Sequence, residues 1–133
     1  MNRTIVLVGI ALGALAIILG AFGAHGLEKI VDENAVDTFE VGVRYQMYHA
    51  LFLLFLGIWP SLANNYKKKV FGLVLVGLVL FSFSIYLLAL NSLTSFDFKS
   101  IGFLTPIGGV FLILGWGFLG YCVLTKKGVK EVE

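Results

Sequence analysis

Charge is what this chain most lacks. Of its 133 residues only 14% are Asp, Glu, Lys or Arg, while 59% are hydrophobic, and mean hydropathy is +0.94. A water-soluble domain of this length cannot bury so much apolar surface, whereas lipid covers it. Cysteine is nearly absent as well. The single Cys122 excludes an internal disulfide and any thiolate metal cluster from one chain, and it reads as a small apolar residue near the end of the last span. A net charge of +2, with no basic run interleaved with aromatics, argues against nucleic acid. No Ser–His–acid signature, glycine-rich phosphate loop or His-Glu-x-x-His stretch is present. The expectation is therefore a chain that is not an enzyme, with no cofactor and no metal.

What is present is four apolar runs, at Thr4–Ala24, Phe39–Leu62, Val70–Leu90 and Ile101–Leu124. Each reaches the ~20 residues that a helix needs to cross a hydrocarbon core of ~30 Å. The first follows Arg3 in the manner of a signal peptide, but it outruns the ~7–15 residues of a signal core, so it reads as a retained span. The fold class is all-α, an integral membrane four-helix bundle forming one domain over residues 1–133. With four spans, both termini and the middle connection share one side. That side carries Arg3, Lys67, Lys68, Lys69, Lys126, Lys127 and Lys130, and the other carries Lys29, Arg44 and Lys99. Basic residues in short connections stay inside, which makes both termini cytoplasmic in a multi-pass protein.

Small residues at Gly9, Gly13, Ala16, Gly20 and Gly23 recur every three or four positions and form one stripe on the first span. In lipid such a stripe lets a neighbouring backbone approach closely, within the chain or between subunits. Gly108, Gly109, Gly117 and Gly120 offer a second packing surface on the fourth span. Residues 25–38 alternate loosely between apolar and acidic, as an amphipathic segment at the outer interface would. Asp37 or Asn34 caps the second helix, Asp37 with Glu40 resembling a capping box, and Pro60 with Ser61 ends it. Pro106 falls near the start of the fourth helix, where the missing donor does little harm; a helix starting at Ile101 would be kinked there.

Polar groups gather toward the outer ends of the spans: His25 on the first, Glu40, Arg44, Tyr45, Gln46, Tyr48 and His49 on the second, and Ser82, Ser84 and Tyr86 on the third. Glu40, Arg44 and Tyr48 share a helical face, so the two charges should satisfy each other in the bundle interior or at the interface. Two readings stand side by side. In one, the cluster binds a ligand or handles protons through His25 and His49. In the other, it is a hydrogen-bonded plug that fixes helix register.

Gly20-Ala21-Phe22-Gly23-Ala24-His25-Gly26-Leu27, Arg44-Tyr45-Gln46-Met47-Tyr48-His49-Ala50-Leu51, Phe81-Ser82-Phe83-Ser84-Ile85-Tyr86 and Thr105-Pro106-Ile107-Gly108-Gly109 with Gly115-Trp116 together resemble the small four-span YwdK/YgdD-like bacterial membrane proteins, a family of unknown function with eukaryotic relatives. The expected Phe-Ser-Gly-Ser is Phe81-Ser82-Phe83-Ser84 here, which places a side chain where the pattern has none. The resemblance implies a four-helix inner-membrane protein that supports membrane integrity and stress tolerance, and it brings no catalytic residue. The functional expectation is a non-enzymatic membrane protein that supports the bilayer or stabilises a partner complex. The alternative is a small oligomeric transporter or channel with an outward polar site. The lipid bilayer is the first partner in either case, with a second copy or another membrane protein as candidates after it.

Overall fold

Four long helices account for most of the chain. The structure, a computed structural model, describes residues 1–131. Helix α1 spans Arg3–His25, α2 Glu33–Ile58, α3 Asn64–Ala89 and α4 Leu104–Leu124. All four are long and apolar enough to cross a bilayer. Helix α3 is α-helical over Asn64–Leu78, widens into a π-helical turn at Val79–Phe83 and closes again over Ser84–Ala89.

The helix starts follow local chemistry. Asn2 caps α1 by accepting from the Ile5 amide at 3.1 Å, and Asp32 caps α2 by accepting from the Ala35 amide at 2.8 Å. The second cap corrects the expected Asp37–Glu40 capping box, because α2 begins several residues earlier than the apolar run suggests. Residues 25–38 are consequently not one interfacial segment. Leu27–Lys29 forms a single 3-10 turn around the buried Leu27, and the acidic residues that follow belong to the first turns of α2. With 26 residues, α2 rises about 39 Å, more than a ~30 Å hydrocarbon core, so these turns project beyond it. Trp59 is extended ahead of Pro60, and α2 stops there. Lys67, Lys68 and Lys69 lie on the first turns of α3 rather than in a loop. Helix α4 starts at Leu104 after a 3-10 turn at Phe98–Ile101, which puts Pro106 in its first turn.

Both termini meet the α2–α3 connection at one end of the bundle. The Asn2 side chain donates to Asn64 Oδ1 at 2.5 Å, Ala63 N donates to Gly128 O at 2.7 Å and Lys130 N to Ser61 O at 2.8 Å. Leu62 and Val129 form an antiparallel bridge. Gly128 turns the C-terminal segment back at φ 72°, a conformation open to glycine.

Helix α1 lies along α2, and α4 lies along α3. The small stripe of α1 faces the first seam: a Cβ on Gly9 would stand 3.0 Å from Ala50 O, one on Gly20 3.4 Å from Val43, and one on Gly23 3.0 Å from Phe39. Gly13 lies against Ala50, and Ala16 is buried. In the second seam Gly77 and Gly108 meet backbone to backbone. A Cβ on Gly77 would stand 2.9 Å from Gly108 O, and one on Gly108 2.7 Å from Gly77 O. Gly115 faces Val74, and Gly109 makes ordinary contact with Phe81. Gly117 and Gly120 meet nothing within 4 Å. They are no part of the seam, because Gly108, Leu112, Gly115, Leu119 and Cys122 hold its helical face and the two glycines lie round the other side.

An apolar core of Ile5, Leu53, Leu56, Val70, Val74, Leu112 and Cys122 fills the half nearer the termini. A smaller group of Leu27, Phe39, Tyr86 and Ala89 closes the far end. Buried polar side chains lie between them.

Candidate functional site

The buried members of the polar set are Gln46, His49, Ser82, Ser84 and Tyr86. Ser84 and Tyr86 lie toward the far end of α3, whereas Gln46 and His49 do not sit near a helix end. Because α2 starts at Glu33, Gln46 and His49 fall half-way along it, opposite Leu12 near the middle of α1 and Trp116 near the middle of α4. Gln46 ties three helices together: its Nε2 donates to Leu12 O on α1 at 2.9 Å, and its Oε1 accepts from the Tyr86 hydroxyl on α3 at 2.7 Å. Gly42, one turn away, has room for no side chain, since a Cβ there would stand 2.6 Å from the Tyr86 ring. That absence also lets Ser82 Oγ donate to Gly42 O at 2.9 Å.

The π-turn positions the serines. Its extra residue turns Ser82 toward α2, while Ser84 Oγ reaches back to Leu80 O at 2.5 Å and Phe81 O at 2.9 Å. The Ser84 hydroxyl also lies 2.6 Å from Thr105 Oγ1 at the start of α4. Phe83, the departure from the expected glycine, points outward and is 39% exposed, so its side chain crowds no seam.

His49 is satisfied on both ring nitrogens. Trp116 Nε1 can only donate, and it lies 3.1 Å from His49 Nε2; Nε2 is therefore bare. Nδ1 carries the hydrogen and donates to Tyr45 O at 2.7 Å. Imidazole 15N NMR should accordingly report a single neutral Nδ1–H tautomer, and Trp116→Phe should broaden it into a mixture.

The remaining members of the set lie apart from this layer. His25 is exposed at the end of α1. Glu40 and Arg44 do face each other, at 3.9 Å, but their side chains are 46% and 59% exposed. They run with Tyr48 along the outward side of α2 and not in the bundle interior. The face follows from the helical period: buried Phe39, Gly42, Gln46 and Leu53 take the inward stripe and leave Glu40 and Arg44 opposite it. Tyr45 is partly exposed, its ring tilted against Phe81 at 4.8 Å. Trp116, Thr105 and Gly42 belong to the layer without having been singled out as polar-cluster residues. Thr105 and Trp116 stand in Thr105-Pro106-Ile107-Gly108-Gly109 and Gly115-Trp116, and no sequence signal marks Gly42.

Every buried side-chain nitrogen and oxygen among the described residues has a hydrogen-bond partner. Among the same residues, no three His, Cys, Asp or Glu side chains gather in a way that would hold a metal. Chemically the layer is a set of paired neutral donors and acceptors with no ionised member.

Residues 19–109 match the family described as protein of unknown function (DUF423). The chain is 39% identical to a UPF0382 membrane protein of Staphylococcus saprophyticus, over 86% of this chain and 91% of that protein. It is 33% identical to one of Haemophilus influenzae, over 96% and 98%, and 34% identical to YwdK of Bacillus subtilis, over 86% and 90%. No solved structure matches. The match over most of the chain, to relatives named as membrane proteins and with four helices able to span, makes this a multi-pass membrane protein belonging to the DUF423 family.

Proposed function

We propose that this protein is a non-enzymatic membrane component that supports the integrity of the bilayer or steadies a partner complex, with its polar layer acting as an internal lock. One observation carries the reading: Gln46, His49, Ser82, Ser84 and Tyr86 spend their hydrogen bonds within and between the four helices, and no buried polar side-chain atom is left unpaired among the described residues. A transport site needs donors or acceptors that a passing solute can take up, and it needs a passage to them. In hydrocarbon each interhelical hydrogen bond stabilises by about 0.6–2 kcal/mol, and glycine seams add close packing. Such a bundle keeps its register in lipid without a ligand. The charge bias supports cytoplasmic termini.

The outward face gives less support to the alternative transporter or channel. The groove at Gly20, Glu40, Val43, Arg44 and Met47 borders the exposed ion pair and is separate from the buried layer. Arg44 at this depth reaches toward the headgroups along its own helix surface.

The experiment pairs cells with vesicles. Cells deleted for the protein should take up a membrane-impermeant dye faster under acid or detergent stress, and native protein should restore the barrier. Proteoliposomes should carry no proton or cation flux above lipid alone. Normal barrier function in the deleted cells, together with a flux abolished by His49→Ala, would overturn the reading in favour of transport.

A further inference from the structure

We infer that the end of the bundle bearing both termini holds a binding site for a phosphate group. A cavity of about 620 Å³ opens there between the starts of α1 and α3 and the C-terminal segment. Arg3, Lys67, Lys68 and Lys130 line it together with Met1, and no Asp or Glu is among its lining residues. The volume lies in the range of small-molecule sites.

The fold itself brings these cations together. Asn2 N donates to Gly57 O at 2.8 Å, which pins the start of α1 and Arg3 against the end of α2. A Cβ on Gly57 would stand 2.6 Å from the Val6 side chain, so only glycine allows that approach. The Asn2–Asn64 hydrogen bond then sets α1 beside α3, which carries Lys67 and Lys68. The Leu62–Val129 bridge folds the C-terminal segment over the same place and delivers Lys130. Three stretches distant in sequence therefore supply like charge to one cavity.

Such a gathering repels itself unless an anion joins it. Lys67 is the sharpest case: it is 3% exposed, and its Nζ donates to Gly57 O at 3.2 Å. A buried ammonium with three hydrogens and one neutral acceptor is short of partners. Neither of the ion pairs among the described residues includes it. Glu131, beside Lys130 in sequence, is engaged by Lys126 at 2.5 Å. Helices α1 and α3 both begin here with no acidic residue in the first turn, and Ala63 caps α3 without a side-chain bond. Their dipoles add to the attraction for an anion. Convergent ammonium and guanidinium donors match the several oxygens of a phosphate better than the two of a carboxylate. The phosphate belongs either to an anionic phospholipid of the adjacent leaflet or to a soluble phosphate compound.

The full chain, purified in detergent, is titrated with pyrophosphate, and in parallel it is reconstituted in phosphatidylcholine nanodiscs with and without phosphatidylglycerol. Retained lipid is counted by native mass spectrometry. The exposed cations are replaced as Arg3→Gln, Lys68→Gln and Lys130→Gln together, leaving buried Lys67 intact so that the fold survives, as a helical melt verifies. The comparison protein carries Lys69→Gln, Lys126→Gln and Lys127→Gln, an equal charge loss at the same end outside the cavity. The first triple should weaken binding at least about tenfold and the second less than about twofold. Retention of phosphatidylglycerol alone identifies a headgroup; a pyrophosphate isotherm identifies a soluble ligand. Equal weakening by both triples, or no binding to either probe, overturns the inference.

Discussion

Gly108→Val should prevent the bundle from closing. At that position α4 touches α3 backbone to backbone, with the Gly77 oxygen 2.7 Å from where a Cβ would stand. Neither side is a flexible side-chain end that can swing away, so the helices must part. Overpacking typically costs about 1–3 kcal/mol, and more where backbone is the obstacle. A loss above about 3 kcal/mol is expected in unfolding of the detergent-purified protein, or failure to accumulate in the membrane. Gly117→Val on the same helix, where nothing stands within 4 Å, should stay within about 0.5 kcal/mol of the parent. Composition treats the two glycines alike; the seam does not.

The second large effect belongs to Gln46. Gln46→Leu removes the bonds to Leu12 O and to the Tyr86 hydroxyl and strands that hydroxyl in a site 6% exposed. Two interhelical bonds at about 0.6–2 kcal/mol each, with an unsatisfied buried hydroxyl adding about 1–3, give an expected loss of about 2–7 kcal/mol. Tyr86→Phe alone leaves Gln46 Oε1 without its donor in a fully buried site and should cost about 1–3 kcal/mol. The double variant should recover part of the Gln46→Leu loss, because no hydroxyl is then left stranded, and the cycle should show a coupling of about 1 kcal/mol. Arg44→Gln, which breaks a 3.9 Å pair on the outward face, should change stability by less than about 0.5 kcal/mol.

These contrasts mark what the residues disclosed and what they did not. The spans were legible because hydrocarbon accepts only closed backbone structure, which makes a run of some twenty apolar residues read as helix. The α1 stripe was legible because small residues at three- and four-residue spacing can share only one face. Where α2 begins was not. Asp32 and Asp37 are both competent caps, and the choice between them moves Gln46 and His49 by more than a helical turn, from the outer end to mid-depth. Glu40 and Arg44 lie on the outward side because Phe39, Gly42, Gln46 and Leu53 take the inward stripe of the same helix. The π-turn at Val79–Phe83 left no mark in hydropathy. It determines that Ser82 reaches α2 while Ser84 reaches α4, a three-dimensional outcome of packing that neither serine's spacing expresses. Gly77, the partner of Gly108, was hidden among the apolar residues of its own span. The cationic cavity escaped a reading by side of the membrane, since counting lysines at one end does not say that four of the positive groups converge.

Water at the polar layer is the point on which the account turns. In a Cys122→Ala background, Ser82→Cys places a thiol at a position with no exposed surface, beside Gly42 and one helix from Gln46. A water-soluble methanethiosulfonate reagent should leave it unmodified in native membranes, while Ser92→Cys in the exposed connection between α3 and α4 reacts within minutes. Modification of Ser82→Cys at a rate comparable to Ser92→Cys would mean that solvent reaches the layer, and the internal lock would have to give way to a solute path.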